Sequence, residues 1–157
     1  MTSVLTTAPL VRLGETKAGR YGGSKTFRAH LDFVIDGLSL YEMTDAQNYD
    51  LIGALGWAGF ESDAATVREL LLDVSSAAAG ARQPLFVCAE CGDLGCGGIT
   101  ALVHRIEDVI VWRDFAFEND YDETMTDRDS FSQIGPFSFR AKQYRQALTD
   151  ALFHGGG

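Results

Sequence analysis

From Leu85 to Phe117 the chain carries three runs of aliphatic, β-branched and aromatic residues. The first, Leu85-Phe-Val-Cys-Ala89, follows Pro84, which forces an extended approach. Ile99 to Ile106 and Val109 to Phe117 come next, divided only by Glu107-Asp108. A two-residue connection of that kind joins neighbouring antiparallel strands. The spacing therefore predicts a three-stranded meander, and the rest of the fold has to be built around it.

The amino-terminal third extends the same theme. Residues 4 to 13 favour β structure, and Gly14, Gly19, Gly22 and Gly23 make 14 to 25 a flexible connection. Phe27, Ala29, Leu31, Phe33 and Ile35 then alternate with Arg28, His30, Asp32, Val34 and Asp36, which predicts a strand with one core face and one mostly solvated face. His30 falls on the solvated side. Asp36-Gly37 supplies a turn into Leu38 to Met43, read as a further antiparallel strand, and 46 to 57 reads as irregular or helical.

Two helices complete the reading. One starts at Asp63, capped by Ser62 or Asp63, with Val67, Leu70, Leu71 and Val74 on its apolar face and its end at Ala77 to Gly80. The other starts near Arg140, with Ala141, Tyr144, Leu148, Ala151 and Leu152 facing inward. The expected fold class is α+β: a mainly antiparallel β-sheet packed by two amphipathic helices, in a single domain spanning 1 to 157. At 157 residues such a chain buries roughly 70% of its unfolded surface and needs no staples to fold.

A net charge of −9 without clustered Lys and Arg argues against a nucleic-acid partner, because phosphate contacts dominate that affinity. The start, Met1-Thr-Ser-Val-Leu-Thr-Thr-Ala-Pro, lacks the basic and apolar regions of a secretory signal, and no window approaches the ~18 apolar residues of a membrane span. A cytoplasmic location is expected, in which thiols or metal ligands are favoured over a disulfide framework.

That matters because all three cysteines and four glycines lie within eleven residues, Cys88-Ala-Glu-Cys91-Gly-Asp-Leu-Gly-Cys96-Gly-Gly98. A Cys-x-x-Cys-Gly turn lets two thiolates converge on one ion, as a zinc knuckle requires. Cys88, Cys91 and Cys96 would need a fourth ligand, for which His104 leads and Glu90, Asp93 or water are substitutes. Against this stand a plain reading, with Cys88 as a small core residue and the glycines serving a tight turn, and a redox reading, which the acids flanking Cys91 disfavour.

Other motifs fall away. Gly22-Gly-Ser-Lys25 reverses the order of a phosphate loop and precedes a strand, and no Gly-x-Ser-x-Gly elbow occurs. Counting from Asp120, the sixth and twelfth places of a calcium loop hold Met125 and Phe131. Residues 118 to 130 therefore read as an exposed acidic loop, with Asp120, Tyr121, Asp122 and Glu123 as a surface for a protein partner.

The block Cys88-x-Glu-Cys-Gly-Asp-x-Gly-Cys-Gly, with Val111-Trp-x-Asp-Phe115 and Gly135-Pro-Phe-x-Phe139 after it, resembles that of short uncharacterised bacterial proteins over the carboxy-terminal half. The resemblance implies a bacterial single-domain protein and brings no activity with it. The sequence thus leads to a non-enzymatic binding or regulatory protein, of an immunity-like kind, with a structural cysteine turn as a candidate zinc site; a thiol- or zinc-dependent enzyme at the same turn is the alternative. It leaves the oligomeric state open.

Overall fold

The structure is a computed structural model that describes residues 2–16, 24–73, 81–92, 96–119 and 126–154. Strands β1 (Leu5–Arg12), β2 (Glu15–Thr16), β3 (Ser24–Lys25), β4 (Arg28–Ile35) and β5 (Leu38–Ser39) lead into the short helix α1 (Leu40–Met43) and strand β6 (Leu51–Gly53). Helix α2 (Phe60–Leu70) precedes the meander β7 (Ala81–Cys88), β8 (Gly98–Ile106) and β9 (Val109–Glu118), and the chain closes with β10 (Phe137–Arg140) and helix α3 (Ala141–His154).

The meander lies inside a five-stranded sheet of order β10-β9-β8-β7-β6, beside a three-stranded sheet of order β1-β4-β5 and a β2-β3 ribbon, with antiparallel pairing throughout. This is an α+β fold built mainly on antiparallel sheet. Pro84 cannot donate to the ladder, and the β7-β8 register shifts between Pro84 and Phe86, which is where a strand tolerates proline. Backbone hydrogen bonds join the two larger sheets at both ends. Ser3 N–H donates to Ser138 O at 2.6 Å beside β10, and Leu31 N–H donates to Leu55 O at 2.9 Å just past β6.

Between the sheets, Phe33 meets Phe86 and Trp112 edge-on at 6.0 and 5.4 Å, and Trp112 meets Phe139 at 5.2 Å. The expected inner face of α3 is observed, with Tyr144, Leu148 and Ala151 buried. Tyr144 also carries the core's polar link: its hydroxyl accepts from Trp112 Nε1 at 3.0 Å and donates to Leu70 O at 2.7 Å, tying β9, α3 and α2 together.

Several local expectations are corrected. The polar side of β4 is covered: His30 is 3% and Asp32 2% exposed, because the segment from Ser39 to Gly53 lies across it and satisfies both side chains. Leu38 to Met43 is a strand for only two residues. Ser39 Oγ then accepts from Glu42 N–H at 3.0 Å and starts α1. Residues 46 to 57 become a 3₁₀ turn at Ala46–Tyr49, strand β6 and a run of bends.

Helix α2 begins at Phe60 with Gly59 as its N-cap, so Ser62 and Asp63 lie within the helix. Asp63 reaches back instead, accepting from Gly56 N–H at 3.1 and 3.2 Å. Helix α2 also stops early: it ends at Leu70 with Leu71 as its C-cap, and Leu72 turns to a positive φ of 60°, so the expected end at 77 to 80 is not reached. Val74, Gly19, Gly22 and Gly23 lie outside the described residues. Of the expected acidic loop, β9 continues through Glu118, Arg128 to Ser130 are exposed where a 3₁₀ turn at Asp129–Phe131 begins, and 120–125 lie outside the described residues. Among the described residues no helix is long and apolar enough to cross a membrane.

Candidate metal centre

The cysteine turn begins where β7 ends. Cys88 is the last residue of that strand, and Gly92 N–H donates to Cys88 O at 2.8 Å to close the bend after it. Gly92 and Gly97 bracket the turn at positive φ, +67° and +102°. A Cβ on Gly92 would stand 2.6 Å from the Trp57 ring, and one on Gly97 2.7 Å from the Phe117 ring, so neither position admits a side chain without displacing an aromatic. The chain then enters β8 at Gly98.

Within that bend the Sγ atoms of Cys88, Cys91 and Cys96 all lie within 4.8 Å of one another. A tetrahedral thiolate site with metal–sulfur bonds of about 2.3 Å places its sulfurs about 3.8 Å apart, so the cluster has the dimensions to hold an ion. The three cysteines are not in disulfides, and the Cys91 and Cys96 sulfurs approach to 2.7 Å. That separation is wider than the ~2.05 Å of a disulfide and tighter than two ligands of one ion. Binding a metal would spread this pair slightly.

The electrostatics distinguish the sulfurs. Burial pushes the Cys88 thiol up, but hydrogen bonds from the backbone N–H groups of Cys91 and Glu90, and from the other two thiols, outweigh it and leave its pKa lowered. Cys96 is pushed up to about 12, first by its hydrogen bond with Cys91, then by burial and by the neighbouring sulfur charges. Cys88 is thus the sulfur prepared to carry charge, and a third negative sulfur beside it needs a cation. Binding a divalent ion would displace the remaining thiol protons.

The turn is clamped from the amino-terminal sheet. Glu90 accepts from Arg12 Nη1 at 2.6 Å, Thr26 N–H at 2.9 Å and Thr26 Oγ1 at 2.9 Å. The hydrogen bond from Arg12, with those from Thr26 behind it, holds the Glu90 carboxyl down to about 2. Arg12 also grips Asp50 through Nε and Nη2 at 3.1 and 2.8 Å, a planar fork on a carboxylate. Arg28 donates from Nε to Ala89 O at 2.9 Å while its guanidinium lies 4.9 Å from the Trp57 ring centroid. Arg12, Thr26, Arg28 and Trp57 escape a sequence reading because each acts on the turn from at least 32 positions away, with no local pattern to mark it.

The structure brings Cys88, Cys91 and Cys96 together and leaves His104 apart. His104 sits six residues beyond Gly98 on β8, about 20 Å along an extended strand, opposite Val111. Its Nε2 accepts from Arg113 Nε at 3.1 Å. Among the described residues no His, Asp or Glu joins the three sulfurs. Glu90 is committed to Arg12 and Thr26, and Asp93 lies outside the described residues. Asp120, Tyr121, Asp122 and Glu123 also lie outside them; the segment that holds them is bounded by a two-way backbone pair between Phe117 and Asp127 at 2.9 and 2.8 Å.

No protein-family model matches the chain, and neither does any curated protein or solved structure.

Proposed function

We propose that this is a non-enzymatic bacterial binding or regulatory protein of the cytoplasm in which Cys88, Cys91 and Cys96 hold one zinc ion as a structural knuckle. The convergence of the three sulfurs carries the reading. The donors fit the ion: thiolates suit zinc, and the two backbone N–H groups directed at Cys88 stabilise the charge a ligand must bear. The location fits as well, since the arginine clamps fix the turn to the neighbouring sheet and an ion there fastens one chain crossing to another. Recognition is assigned to a different stretch of the sequence, the acidic segment with Asp120, Tyr121, Asp122 and Glu123, whose composition suits a basic protein partner in an immunity-like role.

A second reading, a thiol- or zinc-dependent enzyme at the same turn, draws on one observation. Cys91 and Cys96 are exposed, and three protein ligands with solvent at the fourth position is the layout of a catalytic zinc site.

Elemental analysis of protein purified without added metal separates the two. The structural reading expects about one zinc per chain, and its loss in Cys91→Ser with a melting temperature lowered by roughly 5 °C or more. An ion that can be stripped with no change in melting temperature favours the enzyme. A metal-free protein whose three thiols alkylate slowly overturns both.

A further inference from the structure

We propose that Cys91 and Cys96 form a hydroperoxide-sensitive pair, whose oxidation to a disulfide withdraws two of the three sulfurs and releases the bound ion. The inference rests on the metal reading above and adds that the fastening can be undone.

Geometry separates the three cysteines into one and two. Cys88 terminates β7, is the least exposed of them, and receives the backbone N–H groups of Cys91 and Glu90. Cys91 and Cys96 are both exposed, and their sulfurs already stand 2.7 Å apart. Bringing them to the ~2.05 Å of a disulfide takes well under 1 Å of movement. An oxidant arriving from solvent meets these two sulfurs first. The clamps on Glu90 and Ala89 hold the Cys88 end of the turn, so the closure draws on the outer residues rather than on the sheet.

The chemistry closes with a hydroperoxide as the oxidant. The Cys91 thiolate attacks one peroxide oxygen, the O–O bond breaks, and the sulfur becomes a sulfenic acid while the departing alkoxide or hydroxide takes a proton from solvent. The Cys96 sulfur then attacks the sulfenyl sulfur. The S–S bond forms, the S–O bond breaks, and hydroxide leaves as water with a second proton. Two electrons pass from the sulfurs to the peroxide, and zinc changes no oxidation state. Cys88 remains as a single thiolate, too few ligands to retain a tetrahedral ion.

Zinc-loaded protein treated with one equivalent of hydrogen peroxide tests this, read by a chromogenic zinc chelator, intact mass and non-reducing peptide sequencing. The expected result is loss of two hydrogens per chain, a cross-link assigned to Cys91 and Cys96, zinc release in the same proportion, and reversal by dithiothreitol. Cys88→Ser should keep the cross-link, whereas Cys96→Ser should abolish it and accumulate a sulfenic acid trapped by dimedone. Sequencing the cross-linked peptides of the unchanged chain gives the same assignment if a variant folds poorly. A protein that keeps both its zinc and its thiols under peroxide, or a cross-link that runs through Cys88, overturns this pair and leaves the metal reading standing. Protein that never binds zinc overturns the metal reading and the switch together.

Discussion

His30 is held neutral by the fold. Its Nδ1 accepts from Gly53 N–H at 2.9 Å, its ring lies 5.7 Å from that of Tyr41, and burial pushes its pKa down to about 4. The unfolded chain takes up this proton near 6.5, so between pH ~6.5 and ~4 unfolding binds a proton that the native state refuses. His30 therefore withdraws stability as the pH falls through that window. Asp32 works in the opposite direction: burial raises its pKa despite the hydrogen bonds from Ser39 Oγ and Tyr41 N–H, so its own contribution improves as it protonates. Comparison with His30→Asn, which keeps an acceptor near the Gly53 amide without the titration, isolates the histidine. Urea unfolding at pH 7 and pH 4.5 should show a smaller drop in the variant than in the parent. Neither burial could be read from the alternation of β4. That pattern reports which residues share a face, and here the partners making the polar face habitable come from α1, Ser39 and β6.

At the scale of elements, β8 and β9 were legible almost residue for residue, since a strand pair joined by Glu107-Asp108 leaves the pairing little choice, whereas β7 starts at Ala81, four residues before the expected strand, and takes Pro84 into it. The inward face of α3 was equally plain. The start of α2 was not. Gly59 occupies the cap, while Asp63, an ordinary cap residue, spends its carboxylate on Gly56. Clustering in sequence foretold the three sulfurs, but not the arginines that position their turn, and strand register put His104 out of reach. The joint between elements offers a clean test. Tyr144→Phe removes the hydroxyl shared by Trp112 Nε1 and Leu70 O and leaves two buried polar groups unmatched, at a cost of about 1 to 3 kcal/mol. Urea titration with an unchanged m-value would register it; a variant as stable as the parent would mean that the core reorganises to satisfy both groups.

For the molecule as a whole, the apolar cluster spanning both larger sheets, α2 and α3 contains none of the cysteines. Stripping the ion should therefore lower the melting temperature while the far-ultraviolet circular dichroism at 20 °C keeps its β signature. Loss of that signature on chelation would place the turn at the centre of folding rather than at its margin. The flank of β1 turned away from β4 is the other feature with molecular reach. There the Gln143 amide donates to Leu5 O at 2.6 Å and accepts from Leu5 N–H at 3.0 Å, and Pro9, two alternations further on, has no N–H to offer. Gln143→Ala should accordingly scatter more light on mild heating, increasingly so with concentration, and an unchanged profile would show that the flank is closed by other means. A strand with an open side is a template on which further copies can stack. In this chain a side chain from the last helix already occupies the first rung, so polymer growth along β1 has to begin by prising a glutamine off its own backbone.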